Sequence, residues 1–205
     1  MQPAANRIFL LSPANTGGKR AAILLSERAG FELAVRLRES AARLDEIYSF
    51  VSGLYFRGKA AYARTFASPP PGTEGAFVIT PGRGLLPMET SITVAELREI
   101  AAVPIDLQNS RYREPMEDDL RKLDEAAGPL CEYVLLGSIA TPKYAELLLD
   151  RFGPRVLFPF EFVGRGDMSR GGLMLRCVQS RSELTYVRAN QAVRRGPRPP
   201  KLPRR

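Results

Sequence analysis

The chain contains no histidine. That one absence removes Ser-His-Asp and Cys-His catalysis, histidine-ligated zinc or non-haem iron, and imidazole acid–base work together. Any chemistry therefore falls to carboxylates, amides, hydroxyls, lysine or water. Cysteine is nearly as scarce, with Cys131 and Cys177 far apart and each beside apolar residues. This spacing excludes a disulfide framework and a CxxC-type zinc site, and it predicts buried free thiols. No metal and no cofactor is expected. Long apolar runs are missing too: none approaches the roughly 20 residues that a membrane-spanning helix needs. The opening MQPAANRIFLLSPA lacks the charged start and long apolar stretch of a secretory signal, so a cytoplasmic protein without membrane contact is expected.

What is present is a chain of 205 residues with 44% hydrophobic content, enough for one sizeable core. The net charge of +8 is unevenly spread, because residues 188–205 carry seven basic side chains and no acid. The remainder is almost neutral, at 23 basic against 22 acidic residues. Residues 1–187 are expected to form one α/β domain. Residues 188–205, with RRGPRPPKLPRR, are expected to be a disordered basic arm, acting either as a sequence-independent attractor of phosphate or as a solubilising tail.

Short apolar runs alternate with helical spacings. Strands are predicted at residues 7–12, 76–80, 131–137 and 154–163, the last broken by Pro159. Helices are predicted over residues 21–40, 42–67 (with Gly53 and Gly58 as breaks), 93–102, 116–127 and 144–152. Residues 173–178 and 183–187 are expected to close the fold as a hairpin. Strands alternating with helices predict a three-layer α/β domain, with a mainly parallel sheet of about four to six strands covered on both faces. Ligands of such sheets bind at the strands' carboxyl ends, which would gather residues 13–20, 81–86, 138–143 and 164–170 into one crevice.

Each of these segments carries polar groups suited to a ligand. SPANTGGKR places Asn15, the backbone of Gly17 and Gly18, and then Lys19 and Arg20 at a helix start, where free N–H groups favour anions. The alternative is a plain helix start capped by Asn15 or Thr16. Arg83 is either a phosphate clamp or a turn arginine. Ser138 and Lys143 supply a hydroxyl and a cation able to contact a phosphodiester. GRGDMSRGG, residues 164–172, surrounds the lone Asp167 with Arg165, Ser169 and Arg170 among four glycines. Glycine at that density lets backbone approach a ligand, and arginine forks match phosphate or a base edge. Asp167 is then a general base that positions water, or a partner that orders Arg165 or Arg170. Glu161, near a strand end, is the second carboxylate. The stretch 49–67 interleaves Phe50, Tyr55, Phe56, Tyr62 and Phe66 with Arg57, Lys59 and Arg64, which suits either base stacking or a helix core.

The runs LLSPANTGGKRA, SFVSGLYFRGKAAYA, YVLLGSIATPKY and FVGRGDMSRGGLMLR resemble an uncharacterised bacterial protein family. A short strand leading into a Pro/Asn loop, with active groups on later strand ends, is similar in outline to the uracil-DNA-glycosylase superfamily. That resemblance implies that Asn15 lies in the water-activating or base-reading loop and that the glycine–arginine segment grips the strand. The chain departs from the superfamily in having no histidine in the later motif and no acid in the first loop. The function expected is a DNA glycosylase that hydrolyses the N-glycosidic bond of a modified or damaged base, in repair or phage defence. Its partner would be single-stranded DNA or a duplex with a flipped base, with Asp167, Asn15 and Glu161 catalytic. A non-enzymatic DNA- or RNA-binding protein and an enzyme of a nucleotide or sugar phosphate are the alternatives.

Overall fold

The computed structural model describes residues 6–194, 196–200 and 202. In chain order its first half comprises β1 (Arg7–Leu11), α1 (Lys19–Leu24), α2 (Glu32–Glu39), β2 (Ala42–Arg43), α3 (Leu44–Ser52), α4 (Leu54–Phe66), β3 (Ala76–Thr80), β4 (Gly84–Pro87) and β5 (Ser91–Ile92). The second half comprises α5 (Val94–Ala101), α6 (Ser110–Ala127), β6 (Glu132–Leu136), α7 (Pro142–Phe152), β7 (Val156–Pro159), α8 (Asp167–Ser180) and β8 (Tyr186–Arg188). The continuous apolar runs become the inner strands, as a sheet covered on both faces demands. From Ile8 to Leu11, β1 is fully buried.

Six strands are ordered β4-β3-β1-β6-β7-β8, and β2 and β5 form a separate small ribbon. Strands β3, β1, β6 and β7 run parallel, whereas β4 and β8 are antiparallel edges. After β1 the chain moves outward to β3. It later returns to the other side of β1 as β6 and continues outward to β7. The strand order therefore reverses between β1 and β6, whose carboxyl ends lie side by side, with Leu11 opposite Leu136. Crevices form where connections diverge in this way.

One helix crossing fixes the geometry above that crevice. Helix α4 packs on β1 and crosses α8. A Cβ on Gly58 would lie 2.7 Å from the Gly171 carbonyl oxygen, and one on Gly171 would lie 2.6 Å from that of Leu54. The two backbones therefore touch, which no larger residue at either position permits. The expected break between α3 and α4 occurs at Gly53, whose φ of 63° favours glycine.

Several expected elements differ. Residues 173–178 belong to α8 and form no hairpin strand. The apolar run suits either state, but Gly171, Met174 and Val178 at helical spacing face inward. Residues 21–40 split into α1 and α2 at a turn in which Ser26 Oγ accepts from the Arg28 N–H. Residues 84–87 form β4 instead of continuing a glycine loop. Helix α6 begins at Ser110, capped by Asn109, and carries Pro115 within it. Thr93 and Glu96 make the expected capping box.

The boundary at residue 187 falls inside β8. Of the expected disordered arm, Pro197 lies over Gly164, and the Pro200 carbonyl accepts from Arg165 at 3.3 Å. Arg195, Lys201, Arg204 and Arg205 lie outside the described residues. Among the described residues no helix is long and apolar enough to cross a membrane.

Candidate functional site at the sheet switch point

The loop after β1 stands over two adjoining recesses. One, of about 480 Å3, is walled by Asn15, Thr16, Tyr48, Pro81, Lys143 and Tyr144. The other, of about 280 Å3, is walled by Ser12, Asn15, Tyr55, Ser138, Tyr144 and Asp167. All four expected segments therefore contribute. The volumes suit a small molecule or one extruded group, since ligand pockets run to about 300–1,000 Å3.

Asn15 is exposed and shapes its own loop: its Oδ1 accepts from the Gly17 N–H at 3.0 Å. The carbonyl side of the amide is thereby used, which leaves the Nδ2 donor for a ligand. Ser138 Oγ accepts from the Ala140 N–H at 3.2 Å, again leaving a hydroxyl proton. Asp167 opens α8 and is exposed. Its carboxylate makes no ion pair with Arg165 or Arg170 among the described residues, so the expected charge pairing is not what orders this segment. The hydroxyls of Tyr48 and Tyr55 are buried with no hydrogen-bond partner among the described residues. An orphaned buried hydroxyl is costly, and here two of them belong to the walls of one cleft. Burial pushes the Tyr55 phenol up to about 12.

Behind Ser12 lies a buried lysine. Lys59 Nζ donates to the Ser12 carbonyl at 2.9 Å and to Ser12 Oγ at 2.7 Å, and it sits 4.0 Å from the centre of the Tyr55 ring. Burial lowers its ammonium to about 7; the Asp167 charge opposes that fall, and the Arg170 charge adds to it. Sequence reasoning named Lys59 only as one cation of the candidate base-stacking stretch and did not single out Ser12. The available signal was spacing, since Lys59 shares a helical face with Tyr55, Tyr62 and Ala63, all buried.

The expected phosphate-binding arginines are engaged elsewhere. Arg83 pairs with the capping-box carboxylate of Glu96 at 2.6 Å. Arg170 donates to the Phe162 carbonyl at 3.0 and 3.2 Å and to the Gly137 carbonyl at 3.4 Å, tying the segments that follow β6 and β7 to α8. Arg165 holds the Glu161 carbonyl, Ser169 Oγ and the Pro200 carbonyl. Arg20 reaches back to the Phe50 carbonyl. The Glu161 carboxylate receives the Thr185 N–H at 2.9 Å and lines neither recess. It braces the approach to β8. Gly18 caps α1 with no side-chain help, so neither Asn15 nor Thr16 is the cap. With only six residues, α1 is too short to act as an anion-binding dipole. Lys19 and Lys143 are exposed, and Lys143 lines the larger recess.

The aromatics of residues 49–67 are core instead of a stacking platform: Tyr55, Phe56 and Tyr62 are buried, and Phe9 meets Tyr62 edge to face. Cys131 is buried and Cys177 half-buried, both free thiols. Among the described residues no group of three acidic, cysteine or histidine side chains is placed to hold a metal. Compared with protein-family models, curated proteins and solved structures, the chain matches none.

Proposed function

We propose that the protein hydrolyses the N-glycosidic bond of a nucleobase, with a base extruded from DNA as substrate. One observation carries the reading: the unpaired, exposed carboxylate of Asp167 shares a recess with the Asn15 amide at the switch point of the sheet. Such a carboxylate can orient water and stabilise the cationic sugar that develops as the bond breaks. Asn15 Nδ2 and the Ser138 hydroxyl supply donors for a base edge, and half-buried Tyr144 supplies a ring for stacking. Neither histidine nor metal is needed for these steps.

A second reading, hydrolysis of a free nucleoside or nucleotide, is favoured by the arginines' bonds to the fold, which leave fewer donors directed at a polyanionic backbone. The two separate in one experiment. Duplex and single-stranded oligonucleotides carrying modified bases are incubated with the protein beside free nucleosides and nucleotides. Alkali-labile abasic sites are expected from DNA. Asp167→Asn is expected to lower the rate by about 10²–10⁴ while leaving the fold intact. Base release from nucleosides alone selects the second reading. Nucleic-acid binding without any product overturns both.

A further inference from the structure

Ser12 and Lys59 form a pair that the glycosidic reading leaves unused. Ser12 directly follows β1, an inner strand of the sheet, and lines the smaller recess. The 2.7 Å separation of its Oγ from Lys59 Nζ falls within the 2.6–3.2 Å span in which a base activates a hydroxyl nucleophile. The lysine is held rigidly. Its stem is buried in α4, its nitrogen also donates to the Ser12 carbonyl at 2.9 Å, and the Tyr55 ring covers it. A neutral amine in this position has two N–H bonds and one lone pair. One N–H serves the Ser12 carbonyl, and the lone pair receives the Ser12 hydroxyl proton when that hydroxyl turns from the Leu136 carbonyl, to which it donates at a long 3.4 Å. Burial is what makes the neutral form accessible near neutral pH, because it holds the ammonium at about 7.

We propose that Ser12 is a nucleophile and Lys59 its general base, forming a serine–lysine hydrolytic site for small carboxylic esters in the recess that Asn15 and Tyr55 help to wall. Ser12 Oγ forms a bond to the acyl carbon as its proton passes to Lys59 Nζ. The C–O bond to the alcohol breaks, and the departing oxygen takes that proton. Water then attacks the acyl-serine with Lys59 again as base, releasing the acid and restoring the hydroxyl. Asn15, with Oδ1 fixed by Gly17, supplies Nδ2 to the oxyanion. The groups facing Lys59 are Ser12 just after β1, Tyr55 on its own helix, and the charges of Asp167 and Arg170 on α8. This chemistry does not rest on the glycosidic reading, which employs Asp167 and water.

A fluorescent alkyl fluorophosphonate is the probe. Its phosphorus bonds to Ser12 Oγ, fluoride leaves, and the proton passes to Lys59. Intact mass and peptide mapping are expected to place one adduct on Ser12, absent in Ser12→Ala of unchanged circular dichroism. The labelling rate of the unmodified chain is expected to rise with pH to a plateau, with its midpoint near 7. Lys59→Met is expected to lower that rate by about 100-fold or more. Should Lys59→Met fail to fold, the pH profile of the unmodified chain decides. Absence of a Ser12 adduct between about pH 6 and about pH 9, or a rate independent of pH across that span, overturns the proposal.

Discussion

Replacing Lys59 by methionine tests the energetics of the site without reference to any substrate. In the unfolded chain the ammonium titrates at its ordinary 10.5, and in the fold burial brings it to about 7. Between these values the unfolded state holds more protons, so stability rises with pH. Below about pH 7 both states carry the charge and the fold bears the full cost of burying it. The gap corresponds to about 5 kcal/mol, at about 1.4 kcal/mol per tenfold change in affinity. Methionine fills the same space without charge, but it leaves the Ser12 carbonyl and hydroxyl without Lys59, at about 1–3 kcal/mol. Lys59→Met should therefore be about 2–4 kcal/mol more stable than the unmodified chain below pH 7. The advantage should shrink as pH rises and reverse by about pH 10, where the unmodified lysine is neutral and keeps its hydrogen bonds. Urea unfolding of both proteins in parallel from about pH 6 to about pH 10 reads the difference, and every other titration common to the two cancels. The buried tyrosines, raised above their ordinary 10, act above this window. A stability difference that stays flat with pH would refute the claim that a buried amine titrates here.

The remaining tests address the frame around the cleft. Gly58→Ala and Gly171→Ala each place a methyl against backbone at 2.6–2.7 Å, and each should cost about 1–3 kcal/mol, read as a lowered midpoint of thermal unfolding. An unchanged midpoint would mean that α4 and α8 are not in backbone contact. Glu96 is held down to about 2 by the Thr93 N–H and then by Arg83. Its stabilising contribution is therefore present above the ordinary carboxylate value and lost as pH falls toward 2. Glu96→Gln should flatten that acid limb of the stability profile. Arg83→Ala should leave any nucleic-acid affinity and its salt slope unchanged, because the guanidinium serves Glu96; a shallower slope would restore Arg83 as a phosphate contact.

The layers of the fold were legible because each inner strand is a short unbroken apolar run bounded by glycine or proline, and that pattern has few other solutions. The address of the cleft followed from the alternation of strands and helices, which puts the loops after parallel strands at one edge of the sheet. What could not be read was the direction of individual side chains. The glycines of residues 164–172 suggested a loop yielding to a ligand, yet Gly171 yields to Leu54 of α4. Only the three-dimensional crossing distinguishes a helix partner from a ligand as the cause of a missing side chain. The same holds for Lys59, whose position on the apolar face of α4 is visible in the sequence, whereas its 2.7 Å approach to Ser12 depends on where α4 lands on β1.

The arginines carry the sharpest consequence for any ligand. Arg20, Arg83, Arg165 and Arg170 were expected to grip phosphate, and each instead holds backbone carbonyls or a carboxylate of the fold. A guanidinium held by protein oxygens has fewer of its five donors to offer a phosphate and is fixed in direction, and swinging Arg170 toward a ligand would release the segments after β6 and β7 from α8. Recognition in the cleft must then rest on neutral donors, Asn15 and Ser138, on rings, and on one carboxylate beside a low-affinity amine. That set discriminates a planar or acyl group entering the recess far better than it attracts a charged backbone. Under the DNA reading, Lys19, Lys143 and the basic arm would add long-range attraction to the cleft's surroundings. Affinity and chemistry are consequently separable: removing residues 188–205 with the salt slope as readout addresses the first, and Asp167→Asn or Ser12→Ala the second.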